Sequence, residues 1–207
     1  MKIPLILLTL AMLAGCGSTP QKSSINRGRI PFASVSAAKN RQQPQTPEMK
    51  VKSVSKDQKF VLNSRNKAML GSGKRQTVHE FSLPKNTKAW HYAIRASSEE
   101  DPVKLNLEAS FKGVATLTPN ITIPKGTNYC DVFLVDSQEI ADKFGKGEYP
   151  LPSYIKEHSR ENFAEGVVTV RNPASEKYWL CIRNPHTVHK VIVMLDIVAI
   201  VETGNNE

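Results

Sequence analysis

Apolar residues fall along the chain in three regimes. Residues 3–12 form an apolar run broken only by Pro4 and Thr9, residues 17–57 are mostly Ser, Pro, Gln, Asn and Lys, and from Gln58 onward apolar and polar positions tend to alternate. Alternation with period two marks a strand with one buried face. Trp90, Tyr92, Ile94 and Ala96 alternate with His91, Ala93 and Arg95; Leu105, Leu107 and Ala109 with Asn106 and Glu108; Tyr178, Leu180 and Ile182 with Trp179, Cys181 and Arg183. Residues 131–135 and 166–170 read as further strands. In residues 191–201 both faces are apolar, which predicts a central strand covered on both sides. Turn signals at 83–86, 124–127, 171–173 and 183–185 separate these runs at intervals typical of a sandwich. About 150 residues suffice for one domain with its own core. The expectation for residues 58–207 is an all-β, antiparallel β-sandwich.

One stretch breaks the period. In residues 136–145, Asp136 or Ser137 can cap a helix, Gly145 can close it, and Ile140 and Phe144 share a face. Residues 152–163 can hold a second helical turn, with Tyr154 and Ile155 facing inward. Both lie between two strands, so they form a long insertion over one end of the sandwich, where binding sites usually sit. Phe144, Tyr149, Tyr154 and Ile155 are the candidates for partner contact.

The first apolar run is shorter than the roughly 20 residues a bilayer crossing needs. It follows Met1-Lys2 and leads into Leu13-Ala14-Gly15-Cys16. This resembles the lipobox of bacterial lipoproteins, in which small residues admit the backbone to a dedicated signal peptidase and the Cys thiol takes a diacylglyceryl group. The resemblance implies a signal peptide of residues 1–15 and a lipidated Cys16. A multiply acylated Cys is a lasting anchor, since each buried methylene adds about 0.8 kcal/mol. Gly17 stands where an Asp would imply inner-membrane retention, so the resemblance implies the outer membrane, facing the periplasm.

Charge changes meaning once the chain is divided. The 207 residues carry a formal net charge of +9. Between Gly17 and Asp57, Lys22, Arg27, Arg29, Lys39, Arg41, Lys50, Lys52 and Lys56 face only Glu48 and Asp57, about +6, which leaves about +2 for residues 58–207. Basicity therefore belongs to the tail, and export argues against nucleic acid as a partner. So polar a stretch cannot bury enough surface to offset its ordering entropy. Residues 16–57 read as a disordered, lipidated tether, drawn to anionic headgroups, with a fully extended reach on the order of 130 Å. Its apolar islands, 30–35 and 49–54, are either plain linker or segments that order on a partner or on the domain.

Residues 131–136, the loop ending near Phe144, Tyr178-Trp179-Leu180-Cys181-Ile182-Arg183-Asn184 and the final Val-rich strand resemble the jelly-roll sandwiches of GOLD and bacterial pre-peptidase C-terminal domains. That resemblance spans residues 76–202 and implies a non-catalytic interaction module. With Cys16 lipidated, Cys130 and Cys181 remain as a pair in an oxidising compartment, where a disulfide is expected and two buried thiols are the alternative. Gly71-Ser72-Gly73-Lys74 shares the end of the P-loop pattern, but Ala68 and Arg75 occupy its other required positions, so it reads as a turn. His186 and His189 lack a third ligand at a settled spacing. The expected function is a membrane-anchored, non-enzymatic envelope lipoprotein that docks on a protein, on peptidoglycan or on glycan, as in a secretion or surface complex, with no cofactor or metal. The competing class is an envelope hydrolase or metal-dependent enzyme using His79, His91, His186 or His189.

Overall fold

The alternating segments pair into two four-stranded antiparallel sheets. In one, β1 (Glu48–Leu62), β8 (Val191–Thr203), β3 (Thr87–Ser97) and β6 (Glu165–Arg171) lie side by side in that order; in the other, β2 (Gln76–Ser82), β7 (Lys177–Arg183), β4 (Cys130–Val135) and β5 (Arg160–Phe163) do. This computed structural model describes residues 47–99, 104–111 and 121–203, all within the unit Pro44–Glu207. Cys16, the expected leader 1–15 and the expected tether up to residue 46 lie outside the described residues.

The pairs β1–β8, β2–β7, β3–β6 and β4–β5 are those of one long hairpin, and β3–β8 and β4–β7 contacts roll it into two layers. That connectivity is a jelly roll. Between the sheets, Trp90, Tyr92 and Ile94 of β3 and Leu195 and Ile197 of β8 meet Val132, Leu134, Leu180 and Ile182. β8 is central and covered on both faces, as its two-sided apolar pattern requires. Its outward Met194, Val198 and Ile200 pack under Leu105, Leu107 and Phe111. Asp196 shares that outer face, and its carboxylate accepts the Asp57 amide at 2.7 Å and the Leu107 amide at 2.9 Å. The buried charge of this apolar strand thus pins an irregular stretch of β1 and the segment that covers the sheet.

The second sheet is also covered outside. Phe133, Val135, Trp179 and Cys181 lie beneath α2 (Gln138–Gly145) and the following loop, through Ala141, Phe144 and Leu151. The insertion is therefore a lid on the sheet's outer face, not an appendage at its end.

Four expectations are corrected. β1 begins at Glu48, inside the stretch 16–57 read as tether: the 49–54 island orders on the domain by pairing with β8. Leu105, Leu107 and Ala109 do not form a strand; Asn106 has φ 50°, a short 3-10 turn occupies Glu108–Phe111, and the Leu107 amide bonds to Asp196 instead of to a neighbouring strand. Residues 160–163, expected within a helical turn, are the edge strand β5. Finally, Cys130 and Cys181 are free. Phe133, not Cys130, stands opposite Cys181. Cys130 faces the inter-sheet core with Val132 and Leu134, whereas Cys181 faces outward with Trp179. A bridge needs Cβ atoms about 3.8 Å apart, and side chains on opposite faces of a sheet do not meet that.

Candidate functional site

The loops at one end of the sandwich are tied into a single structure. β1 ends at Leu62, and the chain turns through α1 (Arg65–Met69), whose N-cap Ser64 accepts the Lys67 amide at 3.4 Å. Gly71 at φ 77° and Gly73 at φ 82° return it toward β2, conformations costly for a residue with a Cβ. The Asn63 amide closes this loop on the Lys74 carbonyl at 2.8 Å, and the Arg65 and Asn66 amides bond to His186 and Thr187 carbonyls at 3.0 and 3.1 Å. Buried Asn184 is the hub: its side-chain nitrogen reaches the Leu62, Asn63 and His189 carbonyls, and its oxygen accepts the His186 amide at 2.8 Å. Composition marked the 183–185 signal as a turn, but the pinning role of Asn184 needs the neighbouring loop in place to be seen.

Arg75 completes the arrangement. Its Nε donates to the Asn184 carbonyl at 2.9 Å and its Nη2 to the Pro185 carbonyl at 3.2 Å. Partial burial, then the nearby Arg183 and Arg65 guanidinium groups, pull its pKa below the usual arginine value. The walls of the groove beside it come from two elements, the 65–76 loop and the end of α2 at Gly145–Gly147. Gln76 links them by donating to the Phe144 carbonyl. The groove encloses about 520 Å³, lined by Arg65, Met69, Lys74, Arg75 and Lys146 among others.

Around it lies an apolar surface. The exposed large hydrophobic side chains among the described residues are Val61, Met69, Leu70, Tyr129, Tyr149 and Val188, with Met69 at 76% and Leu70 at 83%. Val61 precedes the last residue of β1, Met69 and Leu70 close α1, and Val188 lies in the loop bonded to Arg65 and Asn66. Tyr129 sits 4.1 Å from the His186 ring, and Tyr149 lies 3.7 Å from the Arg183 guanidinium. All six gather at this end or its flank. Glu48, by contrast, pairs with Thr203 at the other end of β1, whose bulges shorten it to the span of Val191–Thr203 on β8, about 40 Å at 3.3 Å per residue.

Of the insertion residues expected at a binding surface, Tyr149 alone is exposed. Phe144 is buried 6.4 Å from the Phe133 ring, and Tyr154 packs 5.1 Å from it. Ile155 packs against the inter-sheet core, its amide donating to the Leu134 carbonyl at 2.8 Å. The histidines do not converge. His79 lies on β2 and His91 on β3, in different sheets and not on adjacent strands. His79 Nε2 is 2.8 Å from Ser55 Oγ, and His91 Nδ1 is 2.9 Å from Thr169 Oγ1. Burial pulls His91 down to about 4. His186 and His189 have ring centroids 6.1 Å apart. Among the described residues no three His, Cys, Asp or Glu side chains are grouped to hold a metal ion.

No family model matches the chain, and no curated protein matches it.

Proposed function

We propose that the chain is an envelope lipoprotein, freed of residues 1–15, lipidated at Cys16 and held at the periplasmic face of the outer membrane. Its jelly roll acts as a non-catalytic binding module that docks on a protein or cell-wall partner. The docking surface is the end of the sandwich built from the 63–75 and 184–190 loops, with Tyr129 and Tyr149 at its margin. The observation that carries this reading is the gathering of the exposed large apolar side chains at that end, remote from Glu48. Single exposed hydrophobics are ordinary, whereas a cluster next to polar and charged residues marks a contact surface. A module tethered through Glu48 presents this end away from its anchor, which suits a link between the membrane and a second component.

Two measurements test the reading. Cys16→Ser should abolish palmitate labelling in cells; retained label would refute the anchor. Met69 and Leu70 are exposed at the end of α1, so the variant Met69→Ser with Leu70→Ser should fold normally and lose most captured partner in a crosslinked pull-down. Unchanged capture would refute the docking surface.

A further inference from the structure

Four cations with no ion pair among the described residues line the groove between the 65–76 loop and the end of α2. They are Arg65, Lys74, Arg75 and Lys146, whereas Lys88, Lys104, Lys143 and Lys177 each have a carboxylate partner. The carboxylate whose charge reaches Arg75 is Asp131. It is buried and already engaged, 3.9 Å from Arg183 Nη1 and accepting the Asn162 amide at 3.0 Å. Burial, then the Arg183 and Arg65 guanidinium groups, disfavour the charged form of Arg75, a cost that a bound anion would relieve.

The geometry narrows the anion's class. Arg75 is fixed by two carbonyls through Nε and Nη2, so its Nη1 remains to donate without further ordering cost. Lysines at the rim add mobile point charges, the usual division of labour in phosphate recognition. Four positive charges exceed what one carboxylate would neutralise, and a volume of about 520 Å³ exceeds what a bare ion would fill. Ala68 and Met69 supply an apolar wall for the organic group that carries the anion.

We propose that this groove is a binding site for a phosphate monoester, presented by a sugar phosphate or by a lipid headgroup. Arg75 and Arg65 grip the phosphate oxygens, and Lys74 and Lys146 close over them. The proposal names the ligand chemistry of the surface described above and rests on that reading for its cellular setting, not for the binding itself.

The test is calorimetric titration of the full-length protein in neutral detergent micelles. Glucose 1-phosphate and short-chain phosphatidic acid are the probes, with glucose and short-chain phosphatidylcholine as their controls. Lys74→Glu with Lys146→Glu is the main variant, because both side chains are exposed and their replacement leaves the core intact. It should weaken binding of the preferred phosphate probe by about a hundredfold, tenfold per reversed charge. Arg75→Lys, which keeps the charge and loses the fork, should weaken it less. Tighter binding of the sugar phosphate or of the phosphatidic acid supports the site and identifies its source. Absence of binding to both, equal binding of the controls, or equal affinity in wild type and the double variant overturns it. Loss of partner capture in Met69→Ser/Leu70→Ser alongside no phosphate binding would leave the docking surface standing and the phosphate site refuted.

Discussion

Cys130 and Cys181 point to opposite faces of one sheet, Cys130 into the inter-sheet core and Cys181 beneath α2. Alternation in residues 178–183 already sets Cys181 on the face of Trp179, away from Leu180. Residues 132–135 are all apolar, so nothing in them says which face Cys130 shares, and only the register with β7 settles it. Burial pushes the Cys181 thiol up to about 12 and the Cys130 thiol higher still. Both should resist thiol reagents in the folded protein and react together once it unfolds, with no reductant added. Labelling that required a reductant would contradict two free thiols. His91 offers a second test. Its folded value, about 4, lies below its ordinary 6.5. The unfolded chain therefore binds the extra proton first, and the stability that neutral His91 contributes is intact above pH 6.5 and lost as pH falls toward 4. Burial lowers His79, His158 and His186 too, so all four act in the same direction. The urea midpoint should drop across that window, and less steeply in His91→Gln; an unchanged slope would refute the assignment.

At the scale of elements, strands with apolar faces were legible and those without were not. β3, β7 and β8 follow directly from alternation, and β8's two covered faces from its double apolar pattern. β1 was not legible because it is an edge strand, exposed or half-buried along nearly all its length, with Lys50, Lys52, Lys56 and Lys59 in it. Charges on an edge discourage pairing with other chains, and they also make the segment look like linker. Leu105 and Leu107 alternate like a strand yet serve as a plug, since burial of two leucines does not require a ladder. Helix α2 was legible from Ile140 and Phe144, but its role was not: Phe144 faces the sheet, not a partner. Phe144→Ala should therefore destabilise the domain by about 4 kcal/mol, read as a lower urea midpoint. Partner capture below the midpoint should stay normal, whereas lost capture in a fully stable variant would restore the helix to the binding surface.

For the molecule as a whole, the jelly-roll path brings loops distant in sequence to one end, and that end holds both the exposed apolar side chains and the unpaired cations. Charge counting could not find it. The domain is nearly neutral in sum, because its acids sit elsewhere, while Arg65, Lys74, Arg75 and Lys146 collect locally. The turn Gly71-Ser72-Gly73-Lys74 was visible as a turn, but nothing in the sequence placed it across a groove from Lys146. The sandwich is polar along its length, with Glu48 and the Lys85–Asn86 turn at one end, where the Glu202 amide bonds to the Asn86 carbonyl, and the proposed docking surface at the other. A photo-crosslinking amino acid placed in living cells at Leu70, and separately at Lys85, tests it most directly. A discrete crosslinked species is expected from Leu70 and none from Lys85; crosslinks from Lys85 with none from Leu70 would place the docking surface at the wrong end.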